Sequence, residues 1–471
     1  MSRSPRVLVR IIATLVVVLS LGAAARAQDR SPDTGRAPSG RPSVVLILTD
    51  DQRWDSLWAM PAVRDLLIAH GVRFKNGYVV NPLCCPSRTS ILTGQYSHST
   101  GVYSNGPPLG GFSVFHDAST VATWLDADGY TTALIGKYLN GYTSRKAGTY
   151  IPPGWDRWMA FSRMQKGGGA YFNYEMNVGG ALQEYGNTPQ EYSTDVLADD
   201  ATEFIRSTPG PLFLYFAPSA PHYPAIPAPR HRTAFSDLAP WRPPSYDEAD
   251  VSDKPGWVQA LPPLTADRTA QIDGFRLRQY RSLLAVDDAV RRIVRSLRQT
   301  GRLGNTMIVF ASDNGYLWGE HRWSAKLVPY EESVRVPIVI RYDPLTAGPR
   351  SDAHLALNID FAPTFADLAG TSAPGAEGTS LLPLLARSSA AWRTDFLIEH
   401  AGGPVPAYCG VHARRAVYVK YSTGEEELYR LRLDPYELQN RVTDPGSAGT
   451  LAALRARLKV LCQPPTPGVS P

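Results

Sequence analysis

Val44-Val45-Leu46-Ile47-Leu48 is an unbroken apolar run, rich in β-branched residues and bounded by Ser43 and Thr49. A strand with one wet face alternates polar and apolar residues. A continuous run of this length instead fits a strand buried on both faces of a parallel sheet. Short runs of the same kind recur at 131–135, 212–216, 307–310 and 337–340, with helical pattern between them. The clearest helix places Leu283, Val286, Val290, Ile293 and Leu297 three and four apart and ends near Gly301. Strands alternating with helices predict an α/β fold around a large, mainly parallel sheet. Ligands of such sheets bind beyond the carboxyl ends of the strands.

The flanking segments divide the chain further. Arg3, Arg6 and Arg10 precede an apolar run from Ile11 to Leu21, and Ala25-Arg26-Ala27 offers a small-x-small cleavage site. Residues 1–27 therefore read as an export signal, too short in its apolar part to span a membrane stably. Its loss removes four Arg and no acid, so the formal charge falls from +5 to +1. A nearly neutral protein has no global basic field for nucleic acid, and any anionic substrate must be held by local charge. Residues 28–42 are polar and rich in Pro and Gly, as in a flexible linker. Residues 43–374 are expected to form the main domain, and 375–462 a smaller C-terminal α+β subdomain. Its antiparallel strands are read at 418–421 and 427–431, around the turn Ser422-Thr423-Gly424. The tail 463–471 reads as disordered, and the Pro-rich stretch 225–263 as a long surface loop or lid.

Four Cys are too few for a disulfide scaffold. Cys409 and Cys462 could pair in an oxidising compartment, whereas the adjacent Cys84 and Cys85 need another explanation. Cys84-Cys85-Pro86-Ser87-Arg88 opens a predicted helix with Pro86 in its first turn. The helix dipole and Arg88 favour an anion there, although a buried structural Cys fits the pattern equally well. Asp50-Asp51 directly follows the first strand, and Asp313-Asn314 follows the strand at 307–310. Alone, an Asp pair can cap a helix or face water. Two strand ends presenting hard oxygen ligands make a divalent site for Ca²⁺ or Mg²⁺. Asp287-Asp288 lies within the amphipathic helix and reads as its solvated face.

Cys84-x-Pro86-Ser87-Arg88, followed by Thr93-Gly94, resembles the sulfatase signature, whose first Cys is oxidised to formylglycine. The likeness continues through Gly136-Lys137, Gly319-Glu320-His321, Tyr330-Glu331-Glu332, Val336-Pro337 and, near the end, Glu427-Leu428-Tyr429 with Asp434-Pro435. It implies an alkaline-phosphatase-like sandwich and a sulfuric ester hydrolase matured by a formylglycine-generating enzyme. Metal ligands would be Asp50, Asp51, Asp313, Asn314 and the modified Cys84. Arg88 would orient the nucleophile, Lys137 and Lys326 would contact sulfate, and His222 would assist at the leaving oxygen. Only eight Lys stand against forty Arg, and two of the eight fall at these positions.

In the family, one hydroxyl of the hydrated aldehyde attacks sulfur and the other collapses to expel sulfate, which a plain Cys or Ser cannot do. The sequence departs from many sulfatases at Leu139, where they carry His in Lys-x-His. That leaves the base of the second step open and Asn140 with only a positioning role in substrate binding. Gly136-Lys137-Tyr138-Leu139-Asn140 and Phe172-Asn173-Tyr174 resemble the N-acetylglucosamine-6-sulfatase and heparan endosulfatase branch. A 6-O-sulfated glucosamine-type sugar is the implied substrate, and a secreted or periplasmic location the implied compartment. Two alternatives stand beside this reading: an arylsulfatase or a phosphate or phosphonate ester hydrolase of the same superfamily, and a sulfated-glycan binding protein whose Cys84 is never converted.

Overall fold

The computed structural model describes residues 40–142, 149–164, 169–346, 348–387 and 389–471. The expected export signal and most of the linker lie outside them. Among the described residues, no helix is long and apolar enough to cross a membrane.

Ten strands form one large sheet: β1 (Ser43–Thr49), β2 (Val72–Tyr78), β3 (Thr131–Gly136), β4 (Arg157–Arg163), β5 (Tyr174–Val178), β6 (Ala181–Tyr185), β7 (Leu212–Ala217), β8 (Thr306–Ser312), β9 (Ile338–Arg341) and β10 (Arg350–Leu357). Their order is β10-β2-β9-β8-β1-β7-β3-β4-β5-β6. The neighbours β8, β1, β7, β3 and β4 are parallel, whereas β9 and β5 run against their partners. The run at 337–340 is thus a strand, but an antiparallel one.

All seven residues of β1 are buried, as its unbroken apolar pattern requires. Val45 and Ile47 pack on one face with the helices Ser193–Ser207 and Ala266–Gln299. Val44, Leu46 and Leu48 pack on the other with the helices Cys84–Thr93, Val121–Ala127 and Phe361–Ala369. A sheet covered on both sides has only its strand ends free for chemistry.

The helix expected around Leu283–Leu297 is 34 residues long. Its Asp287 departs from the expected solvated face. The carboxylate is buried and accepts the backbone N–H groups of Ala62 and Val63 at 2.8 and 2.9 Å. Asp288 is half-exposed and binds Arg230 and His231.

A second, antiparallel sheet follows, in the order β11 (Asp395–His400), β12 (Tyr408–Ala413), β13 (Ala416–Tyr421) and β14 (Glu426–Tyr429). One face covers the helix Ala448–Leu461, which the Cys409–Cys462 disulfide ties to β12. The tail is not loose on this surface. Thr466 and Val469 are buried, and Thr466 donates to Glu399, because the apolar face of the sheet extends beyond its helix. The stretch 225–263 carries only two short helical turns, yet it is packed. Trp241 donates to Glu320 at 2.8 Å, and Lys254 is buried.

Candidate active site

Because β8, β1, β7 and β3 are adjacent and parallel, the segments that leave their carboxyl ends emerge together. Thr49 pairs with Ser312 and Gly136 with Ala217 at the last register positions. Asp313-Asn314, Asp50-Asp51, the turn reaching His222, and Lys137 therefore meet at one mouth. Backbone bonds fix the turns: Asp313 N–H donates to Thr49, Asp50 N–H to Ala220 and Lys137 N–H to Ala217. Gly136 makes the last of these possible. Its φ is +122°, and a Cβ there would lie 2.0 Å from the Ala217 carbonyl oxygen. Asp51 has φ +68°, an unfavourable conformation for a residue with a side chain, of the kind that persists at functional sites when its surroundings enforce it.

The helix Cys84–Thr93 comes in from the side, with Cys84 as its first residue and Gly94 as its left-handed C-cap. All ten of its residues are buried. Cys84 Sγ lies 3.6 Å from Asp50 Oδ1 and 2.7 Å from Lys326 Nζ. Cys85 points into the apolar layer behind, as a free thiol. Arg88, one turn on, is fully buried. Its Nε donates to Asp313 at 2.8 Å and a terminal nitrogen to the Lys137 carbonyl at 2.9 Å. Lys137 Nζ binds Asp50 at 2.5 Å, and Lys326 Nζ binds Asp51. His222, 13% exposed, holds Nδ1 against the Tyr223 carbonyl and places Nε2 3.7 Å from Asp51.

Burial sets the protonation of these groups, and their partners then correct it. Burial alone would raise Asp50, but Lys137, His222, Arg88 and Lys326 hold it well below the usual carboxylate range. Asp313 is pushed up to about 6, first by burial and then by the charge on Asp50. Burial pushes the Cys84 thiol up to about 12, overriding both lysines. An unmodified Cys84 is therefore a poor nucleophile at neutral pH. Burial also lowers His222 against the pull of Asp50 and Asp51, so its imidazole is neutral.

The donor set fits a hard divalent cation. Ligating atoms of Asp50, Asp51, Cys84 and His222 all lie within 4.8 Å of one another. Asn314 Nδ2 donates to Asp51 and Gly315, while its Oδ1 is buried without a partner. Carboxylate and amide oxygens are the ligands that Ca²⁺ and Mg²⁺ take. Three carboxylates against Arg88, Lys137 and Lys326 sum to zero, so a divalent ion would leave the mouth net positive and suited to an anion.

Sequence reasoning thus placed Asp50, Asp51, Cys84, Arg88, Lys137, His222, Asp313, Asn314 and Lys326 in one cluster, and the fold brings them together. Asn140 stands apart. Its backbone carbonyl accepts from Phe112, its Oδ1 is buried without a partner, and among the described residues no hydrogen bond ties its side chain to the carboxylates. Leu139 is a core residue of the same layer as Cys85. Two supporting residues were missed. Gln279, buried in the long helix, donates toward the carbonyls of Asp51 and Pro221 at 3.5 and 3.3 Å, and Tyr171 donates to the His222 carbonyl at 2.6 Å. Gln279 was findable, because it continues the buried stripe Leu283–Val286–Val290 one turn back as a polar residue on an apolar face.

The family model described as Sulfatase matches residues 42–371. A second, described as N-sulphoglucosamine sulphohydrolase, C-terminal, matches 319–463. The chain is 35% identical over 388 residues to an extracellular sulfatase SULF-1 homolog of Drosophila melanogaster, covering 79% of this chain but only 34% of that protein. It is 34% identical over 386 residues to the N-acetylglucosamine-6-sulfatase of Homo sapiens, covering 78% of this chain and 68% of the other. Its fold superposes with TM-score 0.79 and 25% identity on a protein solved with its substrate D-glucosamine-2-N,6-O-disulfate, covering 90% and 98% of the two chains.

Proposed function

The chain belongs to the sulfatase family, and on that premise we propose that it hydrolyses sulfate monoesters of 6-O-sulfated glucosamine-type sugars, with a formylglycine made from Cys84 and a divalent ion held by Asp50, Asp51, Asp313 and Asn314. One observation carries this reading: three carboxylates, an unpartnered buried amide oxygen, three cations and Cys84 converge at one mouth of the sheet. When present, the ion supplies Lewis-acid polarisation and the aldehyde hydrate supplies a paired hydroxyl nucleophile.

The remaining work falls to the chain's own side chains. Lys326, 2.7 Å from the sulfur that marks the nucleophile, and Lys137 beside it are placed to neutralise sulfate oxygens. Arg88 braces Asp313 and the Lys137 backbone, fixing the nucleophile's helix against the carboxylates. His222 keeps Nδ1 on a backbone carbonyl and so presents Nε2 to the mouth. That orientation suits the role the family resemblance gives it, assisting at the leaving oxygen. Because the signature helix is wholly buried, the formylglycine-generating enzyme must act before the chain folds. The Cys409–Cys462 disulfide fits a secreted or periplasmic protein.

The sugar reading rests on the relatives' substrates and on a cleft of about 350 Å³ lined by Tyr223, Phe275, Tyr316, Arg268 and Arg278. Tyr223 directly follows His222, and Tyr316 lies two residues after Asn314. Aromatic faces with guanidinium groups suit an anionic saccharide. Desulfation of a panel of glucosamine and galactosamine sulfates, aryl sulfates and the matching phosphates tests the proposal. Preference for glucosamine 6-O-sulfate supports it, and preference for phosphate esters refutes it.

A further inference from the structure

A second cluster of ligating groups lies away from the catalytic mouth, where the segment after β8 meets the C-terminal subdomain. One ligating atom each of His321, Glu332 and Glu437 lies within 4.8 Å of the other two, and all three residues are buried. His321 Nδ1 bonds to Glu248 at 2.6 Å, which fixes the tautomer and leaves Nε2 as the acceptor. That Nε2 is buried with no hydrogen-bond partner, as is Glu332 Oε2. An imidazole oriented by a carboxylate through one nitrogen, with the other free, is the arrangement of a metal-ligating histidine. Glu437 is held with equal care. Its carboxylate accepts the Glu331 N–H at 2.9 Å, and its own carbonyl accepts from Lys254 at 2.6 Å.

Charge argues in the same direction. Glu248, Glu320, Glu331, Glu332, Glu427 and Glu437 are all buried in this region. The cations facing them are Lys254, 3.4 Å from Glu248, Arg53 on Glu320, and Arg335 with His412 on Glu331. Glu427 is met by the hydroxyls of Tyr330, Tyr421 and Tyr429. Glu332 and Glu437 have no cation of their own among the described residues. Buried carboxylates in that position require a cation or a proton.

We propose that His321, Glu332 and Glu437 form a second, non-catalytic site for a divalent first-row transition ion. Mixed imidazole and carboxylate donors suit zinc or its neighbours better than Ca²⁺ or Mg²⁺, which take oxygen alone. The placement gives the ion a purpose. His321 and Glu332 bracket the segment that carries Lys326, and Glu437 anchors both to the turn after β14. The ion therefore clamps the loop that delivers Lys326 to Cys84.

The test uses the full chain as a Cys84→Ala/Asp51→Ala double variant, which removes a thiol and a carboxylate from the catalytic cluster. After zinc loading and gel filtration, metal analysis is expected to find one zinc per chain and a raised thermal midpoint. Adding Glu437→Gln or His321→Ala should abolish both effects. No retained zinc in the double variant, or zinc unaffected by the added substitutions, overturns the proposal in favour of a proton-sharing network. Should those additions unfold the chain, X-ray absorption at the zinc edge of the double variant carrying His222→Ala as well, which leaves no imidazole at the catalytic mouth, decides. An imidazole among oxygen ligands supports the site, and an all-oxygen shell overturns it.

Discussion

Replacing Lys326 with Met keeps most of the side chain's length and removes only its charge. Nζ lies 2.7 Å from Cys84 Sγ and also binds Asp51, so it stands beside the atom where sulfur would be attacked. A unit negative charge about 4 Å from the ammonium, at an effective dielectric near 20, interacts by about 4 kcal/mol. Lost in full from the transition state, that lowers kcat/KM by about 10³-fold. Sulfate is already anionic in the ground state, so the loss should divide between KM and kcat. The same substitution removes a cation from the carboxylates, leaving the mouth one unit more negative, and metal affinity should hold or rise. Initial rates on an aryl sulfate, with metal analysis of the same samples, read both quantities. A variant of near wild-type kcat/KM, or one whose lost turnover is matched by lost metal, would take Lys326 out of sulfate binding.

Other perturbations probe separate parts of the structure. Asn314→Leu removes the unpartnered Oδ1 and should weaken metal binding, read by calorimetry, while unfolding stays cooperative; unchanged affinity would take Asn314 out of the ligand set. Arg88→Met leaves Asp313 and Asp50 buried without their guanidinium and should cost about 3–5 kcal/mol in denaturant unfolding, the usual penalty for breaking a buried pair. Burial lowers His400 to about 4. Its contribution to stability is complete above the unfolded value near 6.5 and is lost as pH falls toward 4, a change of about 3 kcal/mol that His400→Phe should remove from the stability profile. Opening the Cys409–Cys462 link, which closes 53 residues, should cost about 4 kcal/mol if chain entropy dominates; an unchanged midpoint after Cys462→Ser would contradict that.

What could be read from the sequence follows from burial. β1, β3, β7 and β8 are covered on both faces, so their apolar runs are continuous and visible. β2 interrupts its pattern with Lys75 and Asn76, and β10 with Ser351 and His354, because these strands lie toward the sheet's edge and keep partly exposed positions. β6 is exposed along nearly its whole length and has no hydrophobic signal to show. The candidate site residues were legible because parallel strands place their following residues at one edge, and Asp50-Asp51 and Asp313-Asn314 each follow a strand directly. Tyr171 was not, since it reaches the mouth from a segment distant in sequence, and Gln279 showed only as a polar residue on the apolar stripe of its helix. The packed tail was missed for a similar reason: its partner, the β11–β14 sheet, is assembled only by tertiary folding. Leu139, the one departure from the family pattern, is accounted for by its place in the core.

The proposed hydrolysis depends on Cys84 being converted to an aldehyde. Tryptic mass spectrometry of the peptide containing residues 84–88, from chain made in its own host or beside a formylglycine-generating enzyme, measures that directly. The expected peptide is one in which CH₂–SH has become CHO, trapped by a hydrazine reagent, with its fraction matching specific activity across preparations. A fully reduced, alkylatable thiol in chain that still releases sulfate would contradict it.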